Sequence, residues 1–296
     1  MAVRWSKVTP QLALAPAVVL TGVAFIGSIC WTIYLSLTKS KRLPDYTIDW
    51  SDWAKQYRRV FNDDGWAIAF SNLIFLAIGS ALAILFGFIL AAMIDREKRG
   101  QDIFRTLFLY PLAVSLIVTG VAWRWILNPA MGLEAFLQSH GVTWIHFNWL
   151  AEGRTAMYAI ILASVWQSAG FYMALMLSGL KSINTEIWSA ARLDGISTLR
   201  LYFEVIIPMM KFTFLTCAIL LSLGVIKAYD IVLAMTNGGP GQSTWVPGYY
   251  TIDALAKKQN LGLASAAAVM MLLFTLAVFI PLVLLTYRRR RAEAAA

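Results

Sequence analysis

Charge is scarce in this sequence. Asp, Glu, Lys and Arg make up only 14% of its 296 residues, where a soluble domain of that length carries about 25%. With 59% hydrophobic residues and a mean hydropathy of +0.65, the deficit excludes an ordinary soluble domain and points to a surface that faces lipid. Cysteine and histidine are scarcer still, two of each. Cys30 and Cys217 lie inside apolar runs without disulfide or metal spacing, and His140 and His146 have no metal-ligand set around them. A phosphate-binding loop is also missing: "GGPGQST" (residues 238–244) is glycine-rich but has no lysine. No two carboxylates fall close together within an apolar run. The expectation is a chain with no catalytic residue, no metal site and no bound cofactor.

What the sequence has instead is length in its apolar runs. A helix crossing the hydrocarbon needs about 20 mainly apolar residues, and six stretches qualify, roughly 12–37, 70–94, 103–127, 156–180, 212–235 and 264–287. The first is too long for the apolar region of a signal peptide and has no small-residue cleavage site after it, so it reads as a retained anchor. The net charge of +9 sits in short clusters beside these runs. That pattern fits membrane anchoring rather than nucleic acid. With the amino terminus inside, the cytoplasmic segments hold fourteen Lys and Arg residues: Arg4, Lys7, Arg96, Lys98, Arg99, Arg105, Lys181, Arg192, Arg200, Lys211 and Arg288 to Arg291. The outer segments hold nine: Lys39, Lys41, Arg42, Lys55, Arg58, Arg59, Arg154, Lys257 and Lys258. "KSKR" (39–42) opposes this orientation. The "RRRR" tail and the short "DREKRG" turn outweigh it, because short loops near span ends carry most of the signal. Both termini are expected inside.

One polar stretch, "EIWSAARLDGISTLRLYFEVIIP" (186–208), interrupts the apolar pattern between spans four and five. Asn184 or Thr185 can cap a helix there, with Glu186 in its first turn where the helix dipole favours an anion. Ala190 and Ala191 give it a face of small residues. Asp194–Gly195 should end it, since glycine readily takes positive φ. Ser197 then caps a second helix carrying Leu199, Leu201, Phe203 and Ile206, and Pro208 turns the chain toward span five. From pattern alone, a helical connector on the membrane surface fits as well as any machine part.

At these residues the sequence resembles the EAA loop of binding-protein-dependent ABC importer permeases. Ala190, Ala191, Asp194, Gly195, Phe203, Ile206 and Pro208 match its pattern, while Ser189 replaces the usual glutamate and Ile196 the small residue after glycine. "LSGLKSINTEIWSAA" resembles the approach to that loop in the carbohydrate-importing, maltose-transporter-like branch. "KAYDIVLAMTNGGPGQST" (227–244) resembles that branch's T-x-G-G-P-x-x-x-T signature. The resemblance runs from about Ser71 to the last span. It implies an all-α polytopic integral membrane protein with six transmembrane helices, a five-helix type I importer core plus one amino-terminal helix. It divides the chain into residues 1–69, the first helix and first outer loop; 70–287, the permease core with a cytoplasmic loop at 181–211; and 288–296, a basic tail. It further implies that Glu186, Ser189, Ala190, Ala191, Arg192, Asp194, Gly195 and Pro208 belong to a loop that docks on a cytoplasmic ATPase. The implied partners are a second permease of different sequence, two ATPase subunits using ATP and Mg, and a periplasmic or extracellular solute-binding protein, all at a bacterial inner membrane.

Other polar residues admit a plain reading and a sharper one. Ser164, Gln167, Ser168 and Phe171 share one face of span four. They either hydrogen-bond a neighbouring helix or line a translocation path with polar groups and an aromatic platform suited to a sugar. Lys227 and Asp230, three residues apart, are expected to form an ion pair or part of a gate. Asn72 is either a helix–helix hydrogen-bonding residue or part of that gate. Trp50, Trp53, Trp66, Trp144 and Trp149 read as interfacial anchors. The cargo is expected to be a sugar, with a polyol, a glycerol phosphodiester or a modified sugar as alternatives. A secondary transporter, the rival from another class, calls for inverted repeats, and none is visible between the halves.

Overall fold

The computed structural model describes the backbone of residues 5–294 apart from Asp49 and Lys98, and side chains from Leu14 to Leu284 apart from those two and residue 282. Arg4 and Lys98 therefore lie outside the described residues, as do the side chains of Lys7 and the 288–291 arginines. The described chain is helical: α1 (Trp5–Ser36), α2 (Lys55–Phe61), α3 (Asp64–Arg96), α4 (Gln101–Leu109), α5 (Leu116–Ile126), α6 (Leu133–Ser139), α7 (Ala156–Lys181), α8 (Thr185–Leu193), α9 (Thr198–Leu201), α10 (Ile207–Met209), α11 (Lys211–Ile226), α12 (Tyr229–Thr236), α13 (Pro247–Ala256) and α14 (Leu261–Ala294). Extended pairing among the described residues is limited to a bridge between Thr38 and Ile48.

Four helices are long and apolar enough to cross a bilayer, within Leu14–Ser36, Asp64–Arg96, Ala156–Lys181 and Leu261–Pro281. Six crossings result only if two bent helix pairs each count as one. The third expected span is not a straight rod. It bends by 97° between Gln101–Ala113 and Leu116–Ile126, where Pro111 removes a backbone donor and a 3₁₀ turn runs from Tyr110 to Ala113. The fifth also departs from expectation. α11 stops at Ile226, and Lys227 and Ala228 separate it from α12. At its other end α11 meets Thr198–Met209 at a 70° bend.

Contacts divide the chain into two compact units. The first comprises the chain up to Asp63 with Tyr250–Leu272. There Gln56 Nε2 donates to the Thr38 carbonyl (3.1 Å), the Gly262 N–H donates to the Ser40 carbonyl (2.9 Å), and the Tyr250 hydroxyl donates to Asp63 (3.0 Å). Burial and the neighbouring Asp63 carboxylate push the Tyr250 phenol above its ordinary range. α1 buries almost nothing: Leu14, Val18, Leu20, Val23 and Phe25 are all exposed, as befits a helix whose solvent is hydrocarbon.

The second unit comprises Asp64–Tyr249 and Leu273–Ala296, and α3 against α7 is its most extensive helix contact. Leu73, Leu76, Ser80, Ala83, Gly87, Ala91 and Ile94 of α3 are buried at three- and four-residue intervals. Lipid tails are as apolar as leucine, so membrane helices gain by close approach through small residues. A Cβ at Gly87 would stand 2.7 Å from the Met173 nitrogen, and one at Gly170 would stand 1.8 Å from the Phe108 carbonyl oxygen. Among the tryptophans, Trp50, Trp53 and Trp144 are exposed as anchors should be, but Trp66 is buried. Gly170→Val should cost about 1–3 kcal/mol through overpacking and lower the melting temperature of the purified protein. Gly27→Ala, with nothing within 4 Å of its Cβ, should not. Equal melting temperatures for both variants and the parent would refute this packing account.

Candidate functional site

A cavity of about 420 Å³ lies inside the second unit. All four residues of the expected α7 face, Ser164, Gln167, Ser168 and Phe171, line it, with Ser80 and Leu76 from α3, Val114 and Leu116 from the broken span, and Leu221, Gly224 and Ala228 around the α11–α12 break. No charged side chain lines it. The size falls within the range of small-molecule pockets.

The hydrogen-bonding reading of that face describes Gln167. Gln167 is 7% exposed, and its Nε2 donates to the Val114 carbonyl at 2.7 Å. That carbonyl sits where the chain leaves helical geometry, so the amide supplies the donor that the broken helix no longer does. The hydroxyls of Ser164 and Ser168 donate along their own helix, to the Ile160 carbonyl (2.8 Å) and the Ser164 carbonyl (2.6 Å). With their protons committed, both oxygens remain available as acceptors only. Ser80, Leu112, Tyr172 and Ile231 also line the cavity and were not evident from sequence; the polar Ser80 within an apolar run was the one readable signal.

The expected partnership of Lys227 and Asp230 does not occur. Lys227 is the C-cap of α11 and Asp230 lies in the first turn of α12. The break between the helices abolishes the i, i+3 geometry, and no ion pair joins the two. Asn72 acts as a hydrogen-bonding residue: its Nδ2 donates to the carbonyls of Ser243 (2.7 Å) and Trp245 (2.9 Å). It thereby holds the loop whose signature threonines, Thr236 and Thr244, hydrogen-bond each other at 2.8 Å. Asn237, Gly238 and Gly241 all have positive φ there, and the Gly239–Pro240 peptide is cis. His146 is not idle either. Its Nδ1 lies 2.9 Å from Glu134, which also accepts from the Phe147 N–H at 2.7 Å. That backbone donor first, and His146 second, hold the Glu134 carboxyl below its usual range.

The polar stretch folds as a capped helix with a hinge. Asn184 Oδ1 accepts from the Glu186 N–H at 3.0 Å. At the far end the Gly195 N–H donates to the Arg192 carbonyl and the Ile196 N–H to the Ala191 carbonyl, at 3.3 and 3.1 Å. With Gly195 at φ +67°, this is the paired closure in which a left-handed residue satisfies the last helical carbonyls. Ala191 is buried and Ala190 exposed, so the two alanines do not form one face. Ser189 is exposed and donates to the Thr185 carbonyl; Arg192 and Asp194 are exposed as well. Ser197 occupies the next N-cap position, yet its side chain makes no capping bond. A π turn over Tyr202–Ile206, just before Pro208 with its missing N–H, shifts the register. Leu201, Tyr202 and Ile206 are buried, while Leu199 and Phe203 are exposed.

Tyr202 is a further residue that sequence reasoning missed. Its ring meets Trp188 of α8 at 5.9 Å and Phe88 of α3 at 6.0 Å, both edge-on, and the Arg96 guanidinium stands 5.2 Å from its centre. One ring thus ties the exposed helix to the end of α3.

The model of the family described as binding-protein-dependent transport system inner membrane component matches residues 83–291. The chain belongs to that family. It is a membrane-spanning subunit of a binding-protein-dependent transporter, as its apolar spans require. Among its relatives is a probable ABC transporter permease of Pyrococcus horikoshii, 31% identical over 94% of this chain and 95% of that one. Another is the xylose/arabinose import permease of Haloferax volcanii, 29% identical over 92% of this chain and 86% of that one. In fold, the permease is similar to a chain of a bacterial ABC transporter involved in the import of the acidic polysaccharide alginate (TM-score 0.80, 16% identity, 96% of this chain and 98% of that one).

A Cβ at Gly195 would meet nothing within 4 Å, so any penalty there is conformational. Gly195→Val should strain this closure by roughly 1–3 kcal/mol and lower the melting temperature of the purified protein, whereas Gly195→Asn, which tolerates the left-handed region, should not. An unchanged melting temperature in the valine variant would refute the conformational account of Gly195.

Proposed function

We propose that this permease carries an uncharged sugar or sugar-like solute through the α7 cavity, powered by ATP hydrolysed on separate subunits. The observation that carries this reading is the lining. Its polar side chains, Ser80, Ser164, Gln167, Ser168 and Tyr172, carry hydroxyl and amide groups, and no cation or carboxylate accompanies them. Sugar hydroxyls donate to such acceptors, and a sugar's C–H face stacks on an aromatic ring such as Phe171. A phosphate or carboxylate would meet acceptors without a compensating charge, which disfavours a glycerol phosphodiester. The pentose import named for the Haloferax relative agrees with an uncharged cargo.

The rest of the assembly follows the same reading. The binding protein delivers cargo, and a second, different permease completes the pathway. Two cytoplasmic ATPase subunits, using ATP and Mg, receive the helix 185–193, while this chain binds no cofactor of its own. Both termini and the 181–211 loop face the cytoplasm, with residues 70–287 as the permease core. Glu186, Ser189, Ala190, Arg192 and Asp194 present the docking surface, Gly195 and Pro208 set its angle, and Tyr202 passes its movement to α3. Lys227 and Asp230, at the α11–α12 break, are free to change neighbours as a gate opens.

Ser168→Ala is the clean test, because alanine preserves the helix and removes only an acceptor and its self-bond. In proteoliposomes of the whole transporter, substrate uptake should fall roughly 2- to 10-fold, as for one lost hydrogen bond, while binding-protein-stimulated ATP hydrolysis persists. Unchanged uptake would take Ser168 out of the path. Uptake by this chain alone, driven by a proton or sodium gradient, would overturn the ATP-driven reading.

A further inference from the structure

The nine cations assigned above to the outer segments run against the usual depletion of Lys and Arg there. All but Arg154 fall within the unit formed by the chain up to Asp63 and Tyr250–Leu272. Four of them, Lys55, Arg58, Arg59 and Lys258, line a single open cavity of about 620 Å³. One carboxylate, Asp63, shares the lining and pairs with Lys258 at 3.1 Å. Arg58 pairs with Asp52. Lys55, which is half-buried, and Arg59 have no acidic partner among the described residues. α2 produces this arrangement: Gln56 and Val60 turn inward and are buried, which sends the cations at 55, 58 and 59 to the other side.

The position of the cavity in the chain says what fills it. Asn62 and Asp63 immediately precede the apolar span that starts at Asp64, and Lys258 and Asn260 immediately precede the one that starts at Leu261. Leu263, in the first turn of that second span, closes the lining with apolar surface. Residues so close to where spans begin stand at headgroup depth. The group present there at high density, with a negative charge above a hydrocarbon tail, is a lipid phosphate.

We propose that this cavity binds the phosphate headgroup of an anionic phospholipid, with Lys55 and Arg59 as its principal contacts. Free phosphate and an acidic face of the solute-binding protein are the alternatives that the test separates. The intact transporter is reconstituted in nanodiscs of phosphatidylcholine alone or mixed with phosphatidylglycerol, and retained lipid is read by native mass spectrometry. Phosphatidylglycerol should be retained selectively. In Lys55→Ala/Arg59→Ala its retention should fall roughly 10- to 30-fold, as for two interfacial cations, and Lys55→Arg/Arg59→Lys should preserve it. Should the alanine pair fail to fold, the arginine–lysine pair and the wild-type comparison of the two lipids decide the matter. Equal retention of both lipids would overturn the proposal, as would displacement of phosphatidylglycerol by inorganic phosphate. So would an alanine pair that keeps its lipid but loses stimulation by the binding protein.

Discussion

The hydrogen bond from Gln167 to the Val114 carbonyl is the contact on which the cavity depends. Hydrocarbon offers no partner for a backbone carbonyl, so a helix that breaks inside a membrane survives only where protein replaces the lost donors. Pro111 and the 3₁₀ turn that includes it force such a break, and the amide of Gln167 answers it from α7. The break bends the chain by 97° and leaves room beside α7 that a straight span would fill. Polarity and space in this cavity therefore have one origin.

A second constraint governs the polar stretch between α7 and α11. A short exposed helix keeps its shape only if its ends are satisfied, and α8 is capped at both, by Asn184 and by the Gly195 closure. Its inward contact through Trp188 ends on the Tyr202 ring, which α3 grips with Phe88 and Arg96. α3 in turn lies against α7 through Gly87, where a single Cβ would collide with backbone. A chain of aromatic and glycine contacts thus joins α8 to the helix that carries the cavity face.

Much of this was legible in the sequence because membrane helices are long and apolar, and because the T-x-G-G-P-x-x-x-T and Asp–Gly elements encode local backbone geometry. The face of α7 was readable from a 3.6-residue period, as was the hinge at Gly195 from the special freedom of glycine. The broken spans were not, since counting apolar residues over 103–127 and 212–235 passes over Pro111 and Lys227, the residues that stand at the breaks. The Lys227–Asp230 pairing failed for that reason: it assumed a helix where there is a turn. Tyr202 escaped notice because the π turn moves the buried face by a residue, and sequence periodicity assumes an unbroken register.

The central claim is that the α7 face lines the route of an uncharged cargo. Two native cysteines, one exposed at Cys30 and one buried at Cys217, make thiol labelling a direct probe once Cys30 is replaced by serine. In that background, Ser168→Cys in the assembled transporter should react with a small neutral thiol reagent, and saturating cargo with its binding protein should slow the reaction. A cysteine at 168 whose labelling rate is the same with and without cargo would contradict the account.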